Sequence, residues 1–233
     1  MRHLTNRLAQ VGLCSGLLLS LLALPSAAEQ ELRQGLPGRR ISGGTRSECM
    51  ADSRPIVAMN PESNVGETIS DRPSIYFVVP ETETADPLEF SLRDAEGNRV
   101  YEKTLNTNEH VGVVGIQLPQ QSLQANQNYR WHLAIVCDTQ DPFQNDVLSG
   151  WLRQVSPEFA TENQFNETTP SSIESQLELA HYYQESGLWT DAIDLVVTLR
   201  QQQPMNPQVL SSWTQLLQAL NLETAITDSV AMK

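Results

Sequence analysis

Short β-rich segments, each separated from the next by turn-forming residues, occupy the middle of the 233-residue chain. They follow one another too closely for crossover helices, so neighbouring strands are expected to run antiparallel. This pattern is typical of a β-sandwich, in which two sheets bury their inner faces against each other. The predicted strands are Ile56–Met59, Ser74–Val79, Leu88–Asp94, Arg99–Leu105, Val111–Leu118, Tyr129–Asp138 and Val147–Val155.

The segment Tyr129–Cys137 has the clearest strand pattern. Apolar side chains occupy every second position, which places them on one face of a strand and predicts that this face is the core side. His132 falls on the opposite face, where a histidine is more often inert than catalytic. The core-facing residues are Tyr129, Trp131, Leu133, Ile135 and Cys137.

A second feature supports an immunoglobulin-like arrangement. The segment from Leu118-Pro119 through Leu123 to Tyr129 and Trp131 is similar to the E–F corner of fibronectin-III-like domains, where a Leu and a Tyr lead into a buried strand. The resemblance implies a fibronectin-III-like sandwich. It implies nothing about activity, because that fold serves many roles.

The C-terminal third has helical periodicity. A first helix is expected to begin after Ser171 or Ser172 as N-cap and to end at Gly187. A second is predicted over Thr190–Gln202 and a third over Pro207–Leu220, each with an apolar face. Together with the sandwich, these helices predict an α+β chain.

The first two helices resemble one tetratricopeptide unit of about 34 residues, and no second copy is present. The unit is therefore expected to pack with the third helix as its cap or to dock on the sandwich. The resemblance implies a groove for a partner protein, and a purely structural helical hairpin is the alternative. The matching residues are Ala180, Tyr183, Gly187, Trp189, Ala192, Val196, Leu199 and Pro204.

The first 28 residues have the organisation of an export signal. A basic start precedes an apolar run over residues 11–24, and small residues lead to a cleavage site that we place between Ala28 and Glu29. The run is shorter than the roughly 20 residues that cross a bilayer, so the mature chain is expected to have no membrane span. We predict a periplasmic or extracellular protein. An uncleaved anchor and a lipoprotein modified at Cys14 are the alternatives.

Cleavage would leave two cysteines, Cys49 and Cys137. Oxidising compartments preserve disulfides, so we predict that the two pair, with free buried thiols as the alternative. Closing a loop of about 88 residues would stabilise the fold by roughly 4 kcal/mol. Neither cysteine has a Cys or His at metal-ligand spacing, so no metal site is predicted.

Acidic residues outnumber basic ones by 28 to 15, giving a net charge of −13, and the chain without its signal would carry −15. This balance argues against nucleic acid as a partner, because phosphate binding needs a cationic face. The few cations concentrate near the start of the mature chain, among glycines that would let backbone amides approach an anion. That leader either docks on the protein's own acidic surface or binds an anionic glycan or lipid headgroup. The arginines of this region are Arg33, Arg39, Arg40 and Arg46 in the leader and Arg54 just after it.

Nearly all of Leu36–Leu222 also resembles one family. The parts that match are the segments Leu36–Cys49, Pro73–Pro80 and Val147–Arg153, with Gly150-Trp151 at the centre of the last, and the helical tail. They are similar to the cyanobacterial family known only as domain-of-unknown-function family 928. The resemblance implies a bacterial exported protein of this architecture and implies no activity.

The sequence contains no serine-hydrolase or zinc-protease motif, and we predict no catalytic residue and no cofactor. Oxygen-bearing side chains over Asp138–Asp146 allow a calcium site, although their spacing is not that of an EF-hand. The alternative is a plain acidic loop. His110, His132 and His181 are the histidines outside the signal, and an unrecognised active site would need one of them near an acid.

We therefore expect an exported, non-enzymatic component of the bacterial cell envelope that is structural or binds another envelope or secreted protein. A carbohydrate-binding module using Trp131 and Trp151 is the alternative, and an enzyme with an unrecognised site is a second; the oligomeric state is left open. The predicted regions are a signal peptide (1–28), a Gly/Arg-rich leader (29–48), the sandwich (49–156), a linker (157–172), a helical hairpin with a capping helix (173–222) and a tail (223–233).

Overall fold

The computed structural model describes residues 36–42, 50–51, 54–156 and 172–226. Over these residues the chain is α+β, with two β-sheets followed by a group of α-helices. The strands are β1 (Val57–Ala58), β2 (Val65–Thr68), β3 (Ser74–Val79), β4 (Pro87–Arg93), β5 (Arg99–Asn106), β6 (Gly112–Gln117), β7 (Asn128–Ile135) and β8 (Asp146–Gln154). The helices are α1 (Ile173–Glu185), α2 (Trp189–Gln202), α3 (Pro207–Ala219) and the short α4 (Glu223–Ile226).

The strands form a three-stranded sheet in the order β1-β3-β6 and a five-stranded sheet in the order β2-β8-β7-β4-β5. Neighbouring strands pair antiparallel except β2 and β8, which run parallel. The expectation of a purely antiparallel arrangement is therefore wrong at this edge. The sequence pattern missed β2 because the strand has four residues, Val-Gly-Glu-Thr, and lacks a clear apolar alternation.

The first hydrophobic core lies between the inner faces of the two sheets. The predicted inward face of β7 is confirmed, since Trp131 is 1% exposed and Leu133 and Ile135 are fully buried. The ring of Trp131 meets Phe77 of β3 edge-on, with ring centroids 5.4 Å apart. Edge-to-face contact is the favoured geometry for aromatic pairs, and here it joins one sheet to the other.

The hydroxyl of Tyr129 accepts a hydrogen bond at 2.8 Å from the backbone N–H of Gln124, five residues earlier. Tyr129 begins the long inner strand β7, and the bond ties that strand to the turn before it. This is the local arrangement of a tyrosine corner, in which a strand tyrosine bonds back to upstream backbone.

Strand β3 is buried along its whole length, because helices cover the face of the three-stranded sheet that points away from the other sheet. A second hydrophobic core forms there, so the helical unit docks on the sandwich, which is one of the two arrangements expected. From the sheet it contains Val57, Met59, Tyr76 and Val78, and from the helices Ala180, Ile193, Val196, Val197, Trp213, Leu216, Leu217, Leu220, Leu222 and Ile226.

Local signals explain where the helices begin and end. Ser172 caps α1 through a capping box with Ser175, and Gly187 takes a positive φ of 80° just after α1, a conformation that glycine adopts without strain. Asn206 caps α3, whose first residue is Pro207. The helix α4 lies in the segment predicted to be a tail, and its Ile226 is buried in the second core.

Part of the Gly/Arg leader lies on the sandwich. Arg39 forms an antiparallel bridge with Ser149 of β8, and Ile41 forms one with Val57 of β1. Gly38 packs against the backbone of Ser149, where an added Cβ would lie 2.5 Å from its carbonyl oxygen. Residues 36–42 therefore pair with one strand of each sheet.

Candidate functional site

A groove of about 330 Å³ opens on the helical unit between α1 and α3. Its floor is apolar and includes Ala180 of α1 and Val196 of α2, both buried in the second core. Its two rims are polar and come from matching faces of the two helices, because residues spaced by three or four lie on one side of a helix. The α1 rim carries Glu174, Glu178, His181 and Gln184, and the α3 rim carries Gln208, Ser212 and Gln215.

The groove is acidic. Among the residues that the structure describes, Glu174 and Glu178 line it, and no lysine or arginine does. The amide and hydroxyl side chains on the opposite rim supply both donors and acceptors. The floor suits apolar side chains and the α1 rim suits cations, so the groove can hold an extended basic peptide. Neither Glu174 nor Glu178 was predicted to be a site residue, although their spacing of four residues places both on one face of α1.

The groove is held on the sandwich by buried polar contacts that the sequence did not predict. Asp191 of α2 accepts hydrogen bonds from the Thr68 hydroxyl at 2.9 Å and from the Ile69 backbone N–H at 3.0 Å. Burial raises the pKa of the Asp191 carboxyl to about 6, against the effect of these two donors. Gly66 of β2 allows the close approach, because a Cβ there would lie 2.6 Å from the Thr190 hydroxyl.

A hydrogen bond to a second carboxylate of α2 joins this helix to the three-stranded sheet. The Tyr76 hydroxyl of β3 donates to Asp194 at 2.7 Å. Burial, followed by the charge of Asp194, raises the pKa of the Tyr76 hydroxyl, so this group stays protonated. A cavity of about 240 Å³ opens beside these groups and includes Asp191, Asp194 and Tyr183 in its lining.

Arg40 of the leader fastens the far end of the helical unit. Its Nη1 donates to the Leu220 carbonyl at the end of α3, at 2.6 Å, and to the Asn60 carbonyl of the sandwich, at 3.1 Å. Its Nη2 lies 3.7 Å from Glu62. Burial lowers the pKa of the Arg40 guanidinium, and the charge of Glu62 opposes that effect. This arginine of the leader is therefore engaged by the protein itself.

The three histidines outside the predicted signal lie on separate elements. His110 follows a short 3-10 helix and contacts the Asn106 carbonyl at 3.0 Å, while His132 lies on the outward face of β7. His181 lies on the groove rim with its Nδ1 3.7 Å from Glu185, and both side chains are largely exposed. The structure therefore brings together one exposed histidine–glutamate pair.

The acidic loop over Asp138–Asp146 uses several of its oxygens internally. Asp138 accepts from the Gln140 N–H and Asp141 from the Phe143 N–H, while Asn145 accepts from the Cys137 N–H. Among the described residues, no group of three or more His, Cys, Asp or Glu is arranged to hold a metal ion. The carboxylates thus cap turns of their own loop.

The remaining predicted residues divide between described and undescribed parts of the chain. Trp131 fills the core, whereas Trp151 is partly exposed on the outward face of β8. Cys137 packs partly buried against the first core, which also contains Met50, the neighbour of Cys49 in sequence. Cys49, Ala28 and Glu29 lie outside the described residues. In the described part of the chain, no helix is long and apolar enough to cross a membrane.

A family model described as Domain of Unknown Function (DUF928) matches residues 41–230, a range that includes the eight strands and four α-helices described above for the part of the chain that the structure covers. No curated protein matches the chain.

Proposed function

The chain belongs to the family described as Domain of Unknown Function (DUF928), and from that premise we propose that it acts by binding a partner protein rather than by catalysis. The observation that carries the proposal is the acidic groove of α1 and α3, with an apolar floor and polar rims. An extended segment of the partner lies in the groove, with basic side chains against Glu174 and Glu178. The chain itself is exported through its N-terminal signal and works in the envelope or outside the cell.

Rigid attachment of the groove supports this role. The second core, the two aspartate contacts of α2 and the Arg40 contacts hold the helices on the sandwich in one orientation. A groove fixed in this way loses little conformational entropy when a peptide binds. The sandwich then serves as the scaffold that presents the groove.

The helical unit is proposed to be tetratricopeptide-like and the sandwich fibronectin-III-like. Support for the first comes from two antiparallel helices, α1 and α2, followed by α3 along the same groove. Support for the second comes from the Tyr129–Gln124 hydrogen bond and the buried strand that follows it. The parallel pairing of β2 with β8 differs from a fibronectin-III-like sandwich in which all neighbouring strands are antiparallel.

Fluorescence anisotropy with the purified chain tests the groove. The probes are labelled peptides of equal length that alternate apolar residues with Lys or Arg, and acidic peptides of the same pattern. The double variant E174Q/E178Q keeps the rim shape and removes both charges, and it should bind the basic peptides about tenfold more weakly.

The matched control is Glu96→Gln, an exposed carboxylate in the β4–β5 turn that does not line the groove, and it should leave peptide binding unchanged. Equal binding of basic and acidic peptides, or binding that E174Q/E178Q does not change, would refute the proposed site. A pull-down from envelope extract with the same variants then identifies the natural partner, which should be lost from the double variant and retained by the control.

A further inference from the structure

The outward face of the five-stranded sheet carries a cluster of cations in an acidic protein. Strand register places Arg93, Arg130 and Trp151 side by side on β4, β7 and β8. The next row of paired residues contains Ser91 and His132 and continues through buried Ser149 to Arg39 of the leader. We call this set the cationic face: Arg39, Ser91, Arg93, Arg130, His132 and Trp151.

The charges of the cationic face are not neutralised within the described part of the chain. Arg39, Arg93 and Arg130 are exposed, and none has a carboxylate within 4 Å there. Arg93 bonds to the Gly97 carbonyl, and Arg130 lies over the Trp151 ring with its Cζ 5.7 Å from the centroid. Two arginines directly opposite on neighbouring strands repel each other, so the pairing of Arg93 with Arg130 costs stability that a bound anion would recover.

The nearest carboxylates on the sheet have partners of their own. Glu102 is paired with Arg99 at 2.6 Å, and Glu67 lies 3.9 Å from Arg153. Strand β4 itself carries one acid, the exposed Glu89, which precedes Ser91 by two residues. Glu89 is paired in register with Ala134 of β7 and not with an arginine. The positive charge therefore covers the middle of the sheet.

The side chains that neighbour Arg93 and Arg130 on the cationic face favour an anion that also carries hydroxyl groups. Burial, followed by the charges of Arg130 and Arg93, lowers the pKa of His132, so its ring is neutral at pH 7 and both donates and accepts. Ser91 adds a hydroxyl beside it, and the partly exposed indole of Trp151 offers an apolar ring edge. Sugars present this combination of hydroxyl groups and C–H surface.

We propose that the cationic face binds an acidic polysaccharide. Its carboxylates pair with Arg93 and Arg130, its hydroxyls bond to His132 and Ser91, and the chain extends across the sheet towards Arg39. A flat sheet face suits an extended polymer better than a small ligand, which needs a concave pocket. This surface is separate from the groove of α1 and α3, so the protein carries a glycan-binding side and a protein-binding side.

Isothermal titration of the purified full chain with polygalacturonate, an acidic polysaccharide, tests the proposal, with dextran as the neutral polysaccharide. Polygalacturonate should bind and dextran should not. R93A and R130A should each weaken binding about tenfold, the effect of losing one charge-assisted contact. R72A removes an exposed arginine that precedes β3 and should change nothing, and E174Q/E178Q should also leave glycan binding intact.

Several results would overturn the proposal. Polyaspartate binding as tightly as polygalacturonate would mean that charge alone is recognised. Binding to phosphatidylglycerol vesicles without binding to polygalacturonate would assign the face to a membrane. Concentration-dependent self-association that R93A and R130A abolish, again without glycan binding, would assign it to the acidic groove of a second copy. Absence of binding to every probe would also refute it, and melting curves must show that both variants are folded.

Discussion

The Asp191 carboxylate of α2 lies 2.9 Å from the Thr68 hydroxyl of β2, and this hydrogen bond joins the helical unit to the five-stranded sheet. A carboxylate in such a junction is costly, because burial removes it from water and hydrogen bonds such as those from Thr68 and Ile69 compensate for only part of the loss. The residue positions the helices and at the same time makes their attachment sensitive to pH.

We predict that the stability of the junction falls as the pH rises. Burial raises the Asp191 pKa from 3.8 to about 6 in the folded state, so the folded protein binds this proton more tightly than the unfolded chain. The resulting stabilisation is complete below pH 3.8 and is lost as the pH rises through about 6. Asp191→Asn should remove this dependence, which amounts to at most about 3 kcal/mol between pH 4 and 7.

Urea unfolding of the wild type and Asp191→Asn at pH 4, 5, 6 and 7 measures the difference in slope. Glu96→Gln, a change at an exposed position in the β4–β5 turn, is the control and should follow the wild type. Burial also raises the pKa of Glu67, so part of the wild-type slope should persist in Asp191→Asn. Parallel curves for the wild type and Asp191→Asn would contradict the prediction.

Tyr76→Phe should destabilise the protein by about 1–2 kcal/mol, because it removes one buried hydrogen bond and leaves Asp194 without that donor. The apolar ring and its packing against the helices are retained. Chemical denaturation at pH 7 measures the loss. Tyr101→Phe is the matched control, since Tyr101 packs at the margin of the first core and has no hydroxyl hydrogen bond within the described residues. A loss as large in Tyr101→Phe would show that the Asp194 contact is not the cause.

Arg40→Met should cost about 2 kcal/mol through the loss of charged hydrogen bonds to the Leu220 and Asn60 carbonyls. The loss should appear first at the end of α3, as faster amide hydrogen exchange there than in β7. Arg39→Met, one residue earlier and exposed, serves as the control for charge removal. If both variants exchange alike, Arg40 does not fasten the helical unit.

Cys49 and Cys137 are predicted to form a disulfide that closes a loop of about 88 residues, and its loss should cost about 4 kcal/mol. Single Cys→Ser variants at either position, and the double variant, should lose the same stability, since each breaks the same bond. Thermal unfolding with and without reductant measures it, and a reductant should affect only the wild type. Additive losses in the double variant would show that the two cysteines act separately.

Elements with a strong local signal were predictable from the sequence. The alternation in Tyr129–Ile135 predicted the buried face of β7, and the N-cap and proline signals around Ser172 and Pro207 predicted where α1 and α3 begin. Strand β2 was not predicted, because a segment of four residues shows too little periodicity. Its pairing with β8 could not be predicted either, because the partner residues lie more than 80 positions away in the chain. The α1 rim of the groove was visible as helical spacing, but its partner on α3 was not, because only packing brings the two helices together.

The sequence by itself determined the α+β class of the chain, the succession of a β-rich part and a helical part, and the inward face of β7, because these follow from the pattern of near neighbours in the chain. Only the tertiary structure decided that the helices cover β3, that Asp191 and Asp194 become buried at the junction, and that Arg40 reaches the end of α3. It also collected arginines from β4, β7 and the leader on one sheet face of an acidic protein. Strand register and the docking of the helices bring together residues that are distant in the chain. The overall composition averages over all residues, so it cannot show that cations gather on one face of an acidic protein.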